Sequence, residues 1–365
     1  MDKSIALRIA FLCSHPAPYF DACFRYIHQR YGVEILIVYF KPNAQAPFAI
    51  KMSDFSDYTY CREDYSLKQL SSFVEEFKPD AIYVPGWIDL GYLWLAFNFK
   101  AKGIRVICGL DGQWYGSIRQ MCGIQFLRLV LDRCVDILWV AGERQSQYGM
   151  KLGYGHDRQW HGLYCCDLES FSHDQERAIS SEMEAFLFVG RYVPEKGISV
   201  LLDAFRAYRS KVAKPWKLLC VGSGPLKHLF NGIEGVEDLG FIAPALLPSV
   251  MRRASVFLLP SLYEPWGVVL QEAMASGLVP ICSAACGAGV HLVQDGYSGY
   301  VVETGSVEHL TECMLDVSSL GIASRIAMAN AGRELAGQFS PKRWASTLVH
   351  GLRSAYDKVR PTTNS

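Results

Sequence analysis

The chain has no net charge: Lys and Arg number 36 against 36 Asp and Glu in 365 residues. Nothing resembles a basic arm or stripe, so nucleic-acid binding has no electrostatic support. No stretch reaches the roughly 20 uninterrupted apolar residues that a spanning helix needs. The apolar run in the opening segment MDKSIALRIAFLCS is interrupted by Arg8 and followed by His15-Pro16 rather than a small-residue cleavage site. It therefore reads as a first buried strand rather than a secretory signal. Twelve cysteines are scattered, and neither Cys165-Cys166 nor Cys282 with Cys286 has a matching second pair at zinc-site spacing. Buried free thiols in a reducing cytoplasm fit them best. No DxD-type acidic cluster stands at a strand end, so no metal is expected, and there is no short-period repeat.

What is present is a large apolar budget, 50% of residues against 20% charged. The length exceeds one ordinary core and fits two α/β domains of about 170 residues each. Buried-strand candidates run from Ile5 to Cys13, Val33 to Phe40, Ala81 to Val84, Ile104 to Gly109 and Ile137 to Val140, with helical segments between them. That alternation implies right-handed βαβ units and a parallel sheet. A polar and aromatic section from Lys41 to Tyr65 interrupts the order and reads as a loop. The stretch Asp167 to Glu184, rich in Ser, Glu and His, reads as an interdomain segment, and the alternation restarts at Phe186. The expected division is a first domain over 1–170, a linker over 171–184, a second domain over 185–340 and a last helix over 341–358. The tail from Arg360 is expected to be disordered.

The densest signal is EPWGVVLQE, Glu264 to Glu272. It follows the short apolar run Ser255 to Ser261, so Glu264 leaves the carboxyl end of a strand, where open α/β sheets bind ligands. Val268, Val269, Ala273 and Met274 mark an apolar helix face, which places Glu272 about two turns along. A loop carboxylate and a helix carboxylate can converge on hydroxyls, while the amides of Gly267, Val268 and Val269 at the helix start suit an anion. Hydroxyls plus phosphates suggest a sugar nucleotide. Upstream, the strand Phe186 to Val189 leads through Arg191 and Lys196 into a helix, and two fixed cations suit a diphosphate. Another strand, Lys217 to Val221, ends in Gly222-Ser223-Gly224-Pro225, where backbone can approach a ligand closely.

Taken in order, strand-RxxxxK-helix, strand-GxGP and strand-ExxxxxxxE-helix, followed by GAG and DGYSGYVV, residues 185 to 305 resemble the donor-binding half of retaining GT-B glycosyltransferases. The family most resembled is glycosyltransferase family 4, the glycosyl transferases group 1. The resemblance covers the carboxyl half well and the amino half only in architecture. It implies two Rossmann-like parallel-sheet domains facing a central cleft, with the last helix crossing back to the first domain. It also implies that Glu264 contacts the transferred sugar near its anomeric centre, that Glu272 binds the ribose, and that Arg191 and Lys196 neutralise the donor diphosphate. Amides around Trp266, Gly267 and Val268 would meet phosphate and sugar oxygens. The chain departs from the pattern at His291, where many relatives carry an acid, and at Ser14 to Phe20, where a His-Pro turn replaces a glycine-rich loop.

In the amino half, His15 lies at a strand's carboxyl end and reads either as a partner for sugar or acceptor or as a turn histidine. Asp111, in Cys108-Gly109-Leu110-Asp111-Gly112, is the better candidate for chemistry: by resemblance it faces the transferred sugar, as a carboxylate orienting a hydroxyl or taking the acceptor's proton. The other reading of Asp111 is a turn cap. Asp89 is a weaker alternative, with the cap favoured. Trp87, Trp114 and Tyr115 are candidates to stack on a ring, or core aromatics. Tyr92 to Lys100, with Lys102 and Arg105, and likewise Gly123 to Arg133, read either as a surface grazing a membrane or, preferably, as helices packed on the sheet.

The expected activity is metal-independent, retaining, hexosyl-type transfer from a nucleoside-diphosphate sugar to an acceptor hydroxyl, with no cofactor, in glycan, polysaccharide or glycolipid synthesis. The departing diphosphate takes the acceptor proton in a same-face displacement. The expected location is cytoplasmic, free or peripheral on the inner membrane face. A non-catalytic nucleotide-sugar or glycan-binding subunit with the same fold is the alternative. Neither the sugar, the base nor the acceptor (glycan, lipid-linked or small) is legible; base selectivity falls around Phe241 to Pro244.

Overall fold

A computed structural model describes residues 6–14, 18–41, 56–172 and 183–359. Contacts divide the chain into two compact units, residues 1–165 with 341–365, and residues 166–340.

Among the described residues, the first unit is built on β1 (Arg8–Leu12), β2 (Glu34–Tyr39), β3 (Tyr58–Cys61), β4 (Ala81–Val84), β5 (Arg105–Leu110), β6 (Ile137–Val140) and β7 (Gln159–His161). They form one sheet in the order β3-β2-β1-β4-β5-β6-β7, every pairing parallel. The inner strands β4 and β6 are buried at every residue, the pattern of a sheet covered on both faces. Helices α1 (Pro18–Tyr31), α2 (Leu67–Phe77), α3 (Leu90–Ala101), α4 (Ile118–Cys134) and α5 (Glu143–Lys151) alternate with the strands. Their starts are specified locally: Ser66 with Gln69 and Ser117 with Gln120 form capping boxes, and the Asp89 carboxylate accepts from the Tyr92 amide at 2.6 Å.

The second unit carries β8 (Ala185–Val189), β9 (Lys217–Val221), β10 (Val236–Asp238), β11 (Val256–Leu259), β12 (Val279–Ser283) and β13 (Tyr300–Val302), ordered β10-β9-β8-β11-β12-β13 and again all parallel. Its helices are α6 (Leu168–Ser172), α7 (Ile198–Lys211), α8 (Leu247–Met251), α9 (Val268–Ala275), α10 (Gly289–Leu292), α11 (Val307–Ser319) and α12 (Ile322–Gly337).

The last helix, α13 (Pro341–Val359), packs in the first unit. Trp344 stacks on Trp139 with ring centroids 4.7 Å apart and donates its indole N–H to the Leu163 carbonyl at 2.9 Å. Gly351 permits the approach, since a Cβ there would lie 2.3 Å from the Trp160 ring.

Two departures from the sequence reading have simple causes. The section Lys41 to Tyr65 is not loop throughout: residues 42–55 lie outside the described ones, but Tyr58–Cys61 forms the edge strand β3, because β-prone Tyr and Thr side chains meet an open edge of β2. The other edge strand, β7, is only three residues long and too short to show a period.

Candidate functional site

The second sheet reverses its winding between β8 and β11, and in open α/β sheets ligands bind outside the carboxyl ends of the strands at such a point. Both chemical loops lie there. Lys196, from the β8 loop, forms an ion pair through Nζ with the Glu264 Oε2 of the β11 loop. The pair is well covered, with side chains 16% and 9% exposed. Ser261 Oγ donates to the same carboxylate oxygen at 3.1 Å, and its own carbonyl accepts from Ser283 Oγ at 2.5 Å. The amides of Leu262 and Tyr263 donate to the Glu195 carbonyl at 2.8 and 3.1 Å, lacing the two loops together. Arg191 is exposed and forms no ion pair among the described residues.

Glu264 is followed by a turn that only glycine completes. Gly267 has φ 93°, and a Cβ there would stand 3.0 Å from Glu264 Cγ and 3.2 Å from Cys286 Sγ. The GAG loop is held beside it, with Gly287 N donating to the Glu264 carbonyl at 3.0 Å and Ala288 N to the Trp266 carbonyl at 2.9 Å. α9 then begins without a side-chain cap, which leaves the Val268 and Val269 amides as donors for an anion. Glu272 lies further along this helix. Burial, reinforced by the charge of Asp167, pushes its carboxyl up from the usual 4.5 to about 7.

Gly222 and Gly224 are needed first by the fold. A Cβ on Gly222 would lie 1.9 Å from the Gly190 carbonyl oxygen, and one on Gly224 would lie 2.5 Å from that of Tyr192. They let the end of β9 press against the β8 loop and thereby help to set the path that carries Arg191. Trp266 is buried between His291 and Phe339, each ring 5.7 Å away, and its indole N–H has no partner among the described residues.

In the first unit, Asp111 follows β5 and is exposed. Its Oδ2 accepts from the Tyr164 hydroxyl at 3.1 Å, and Tyr19 packs edge-on against Tyr164 at 5.2 Å. Burial raises both phenols, which stay protonated at neutral pH and available as donors. His15 lies outside the described residues. Asp89 is occupied as the α3 cap, and Trp87 and Trp114 pack against Tyr148 with ring centroids 6.1 and 5.6 Å away. Tyr115 is exposed.

Sequence reasoning missed Gln271 and Tyr164. Gln271 is fully buried beside Glu272; its Oε1 accepts from the Cys166 amide at 2.8 Å and its Nε2 donates to the carbonyls of Ala336 at 2.8 Å and Phe339 at 2.5 Å. One side chain thus ties together both ends of the second unit. The available signal was an uncharged polar residue inside an apolar helical pattern. For Tyr164, which meets Asp111 across 53 positions of chain, no local signal exists. Among the described residues, no group of three or more His, Cys, Asp or Glu is placed to hold a metal ion.

Residues 170–335 match the family model described as Glycosyl transferases group 1. An uncharacterized glycosyltransferase of Methanocaldococcus jannaschii is 30% identical over 47% of this chain and 48% of its own length. A phosphatidyl-myo-inositol mannosyltransferase of Mycobacterium leprae is 34% identical over 35% of this chain and 36% of its own. The chain thus spans less than half the length of these two relatives. The crystal structure of Anabaena Alr3699/HepE in complex with UDP and glucose matches with a TM-score of 0.74 and 17% identity, covering 95% of this chain and 100% of that one. This chain therefore has the GT-B fold, two Rossmann-like parallel-sheet domains, and its second domain matches the glycosyl transferases group 1.

Proposed function

We propose that the chain binds a nucleoside-diphosphate sugar in the crevice outside β8 and β11 and transfers the glycosyl group to an acceptor hydroxyl with retention of configuration. The observation that carries this reading is the covered Lys196–Glu264 pair at the point where the sheet reverses. A cation and a carboxylate from strand-end loops 68 positions apart are held side by side there, although burying such a pair brings little stability in itself. The match over residues 170–335 supports glycosyl transfer, and the UDP and glucose in the Anabaena structure make a uridine nucleotide the first to try.

The residues divide the work as follows. Arg191 and Lys196 stabilise charge on the departing diphosphate, with the α9 amides adding oriented donors. Glu264 accepts from the sugar's hydroxyls and positions it. Glu272 accepts from the ribose. The bond from the anomeric carbon to the diphosphate oxygen breaks while the acceptor oxygen bonds on the same face, and the acceptor's proton passes to the phosphate oxygen. No protein nucleophile is needed, and the cations supply the charge that a divalent ion would otherwise bring. Asp111, held by Tyr164, serves the first unit as a hydroxyl-orienting carboxylate.

Replacing Glu264 with Gln tests the reading in a transfer assay with a UDP-sugar and an oligosaccharide acceptor. Turnover should fall by about 10²–10³ while UDP binding changes only a few-fold. Undiminished turnover would overturn the assignment.

A further inference from the structure

Among the described residues, the largest run of exposed apolar side chains belongs to α3 and α4, neighbouring helices of the first unit. α3 buries one face on the sheet through Tyr92, Leu95, Ala96 and Phe99, and α4 packs against α3, burying Leu131 and Cys134 with Ile124, Leu127 and Val130 partly covered. Their backs are also apolar. Leu90, Trp94 and Phe97 recur at i, i+4 and i+7 along the outer side of α3, and Ile118, Phe126 and Leu129 at i, i+8 and i+11 along that of α4. Ile118 is 80% exposed and Phe126 74%. Helices that merely pack on a sheet keep the outer face polar, so these two are apolar on the side that packing does not explain.

Charge decides the occupant. The back of α4 carries Arg119, Arg128 and Arg133, all exposed, and its one carboxylate, Asp132, is taken by Arg158 at 3.0 Å. Lys100 of α3 and Lys102 just after it are paired with Asp136 and Glu75, so the positive charge of this face rests on the three α4 arginines, which form no ion pair among the described residues. A second copy of this face would oppose arginines to arginines, since a two-fold interface pairs a patch with itself. An anionic lipid surface instead meets the arginines with headgroup phosphates and admits the apolar side chains beneath them.

We propose that the outer faces of α3 and α4 seat the first unit on an anionic bilayer, the helices lying in the interface with their arginines at headgroup level. This docking stands or falls apart from the transfer reading, because its assay needs no sugar nucleotide.

The full chain is sedimented with vesicles of phosphatidylcholine alone and of phosphatidylcholine mixed with phosphatidylglycerol, at low and high salt. Binding should require the anionic lipid and weaken with salt. The double change Phe126→Ser with Leu129→Ser should lower the partition coefficient roughly tenfold or more. Arg119→Glu with Arg133→Glu should do the same through charge. Tyr297→Ser, an exposed aromatic of the second unit, should change nothing. Melting curves confirm that each variant is folded. The proposal is overturned if mixed vesicles fail to sediment the wild-type chain, or if both double variants still bind as the wild type does. It is equally overturned if the wild type is a dimer in solution that Phe126→Ser with Leu129→Ser converts to monomer, which would give the face to a second copy.

Discussion

Glu272 is expected to be a residue that destabilises the empty protein and is stabilising only when the donor is bound. Its carboxyl is raised from 4.5 to about 7, first by burial and then by Asp167. The folded protein therefore holds this proton more tightly than the unfolded chain does. The resulting penalty is absent below about pH 4.5, grows as pH rises, and is complete above about pH 7. A shift of this size corresponds to about 3 kcal/mol at most. Glu272 keeps part of its surface in water, so screening reduces the effect to about 1–2 kcal/mol. Glu272→Gln removes the charge with little change in shape. At about pH 8 the empty variant should melt a few degrees above the wild type, and near pH 4.5 the two should coincide. With saturating UDP the order should reverse, because a carboxylate accepting from both ribose hydroxyls is replaced by an amide with one acceptor oxygen. Thermal melting across pH, with and without UDP, reads all four conditions. A variant less stable than the wild type at pH 8 without nucleotide would refute the reasoning, as would equal stabilisation of both proteins by UDP.

The same titration predicts that UDP affinity rises as pH climbs through about 7, by up to about tenfold, beyond the nucleotide's own titration as seen in Glu272→Gln; calorimetry in both proteins gives the difference. Gln271→Leu strands the Cys166 amide and the Ala336 and Phe339 carbonyls that the side chain now satisfies. It should cost about 2–4 kcal/mol in urea unfolding and speed hydrogen exchange at Cys166 above the global rate.

The inner strands were legible because parallel strands buried on both faces read as continuous apolar runs: Phe186 to Val189 falls within a residue of β8, and the run Ser255 to Ser261 contains β11 and overshoots its end by two residues. Short edge strands such as β7 lack that signature. The places of Arg191, Lys196 and Glu264 were legible because each follows an apolar run that ends at the carboxyl edge of the sheet. Their pairing was not. Lys196 and Arg191 read alike as diphosphate cations, but Lys196 is paired with Glu264 while Arg191 faces solvent. Contacts across 68 positions depend on how two loops leave adjacent strands, which no local pattern encodes. The glycines show the complementary limit. The chain pattern marks Gly222 and Gly224 as places of close backbone approach, and what approaches them is the chain itself at Gly190 and Tyr192.

The most direct test is calorimetric titration of UDP, GDP and ADP into the wild-type chain and into Lys196→Ala. One nucleoside diphosphate should bind the wild type in preference to the others, and Lys196→Ala should weaken that binding by about 10–100-fold through the lost charge-assisted contact. Binding of no nucleotide by the folded wild type, or equal binding by both proteins, would contradict a donor site built on the Lys196–Glu264 pair.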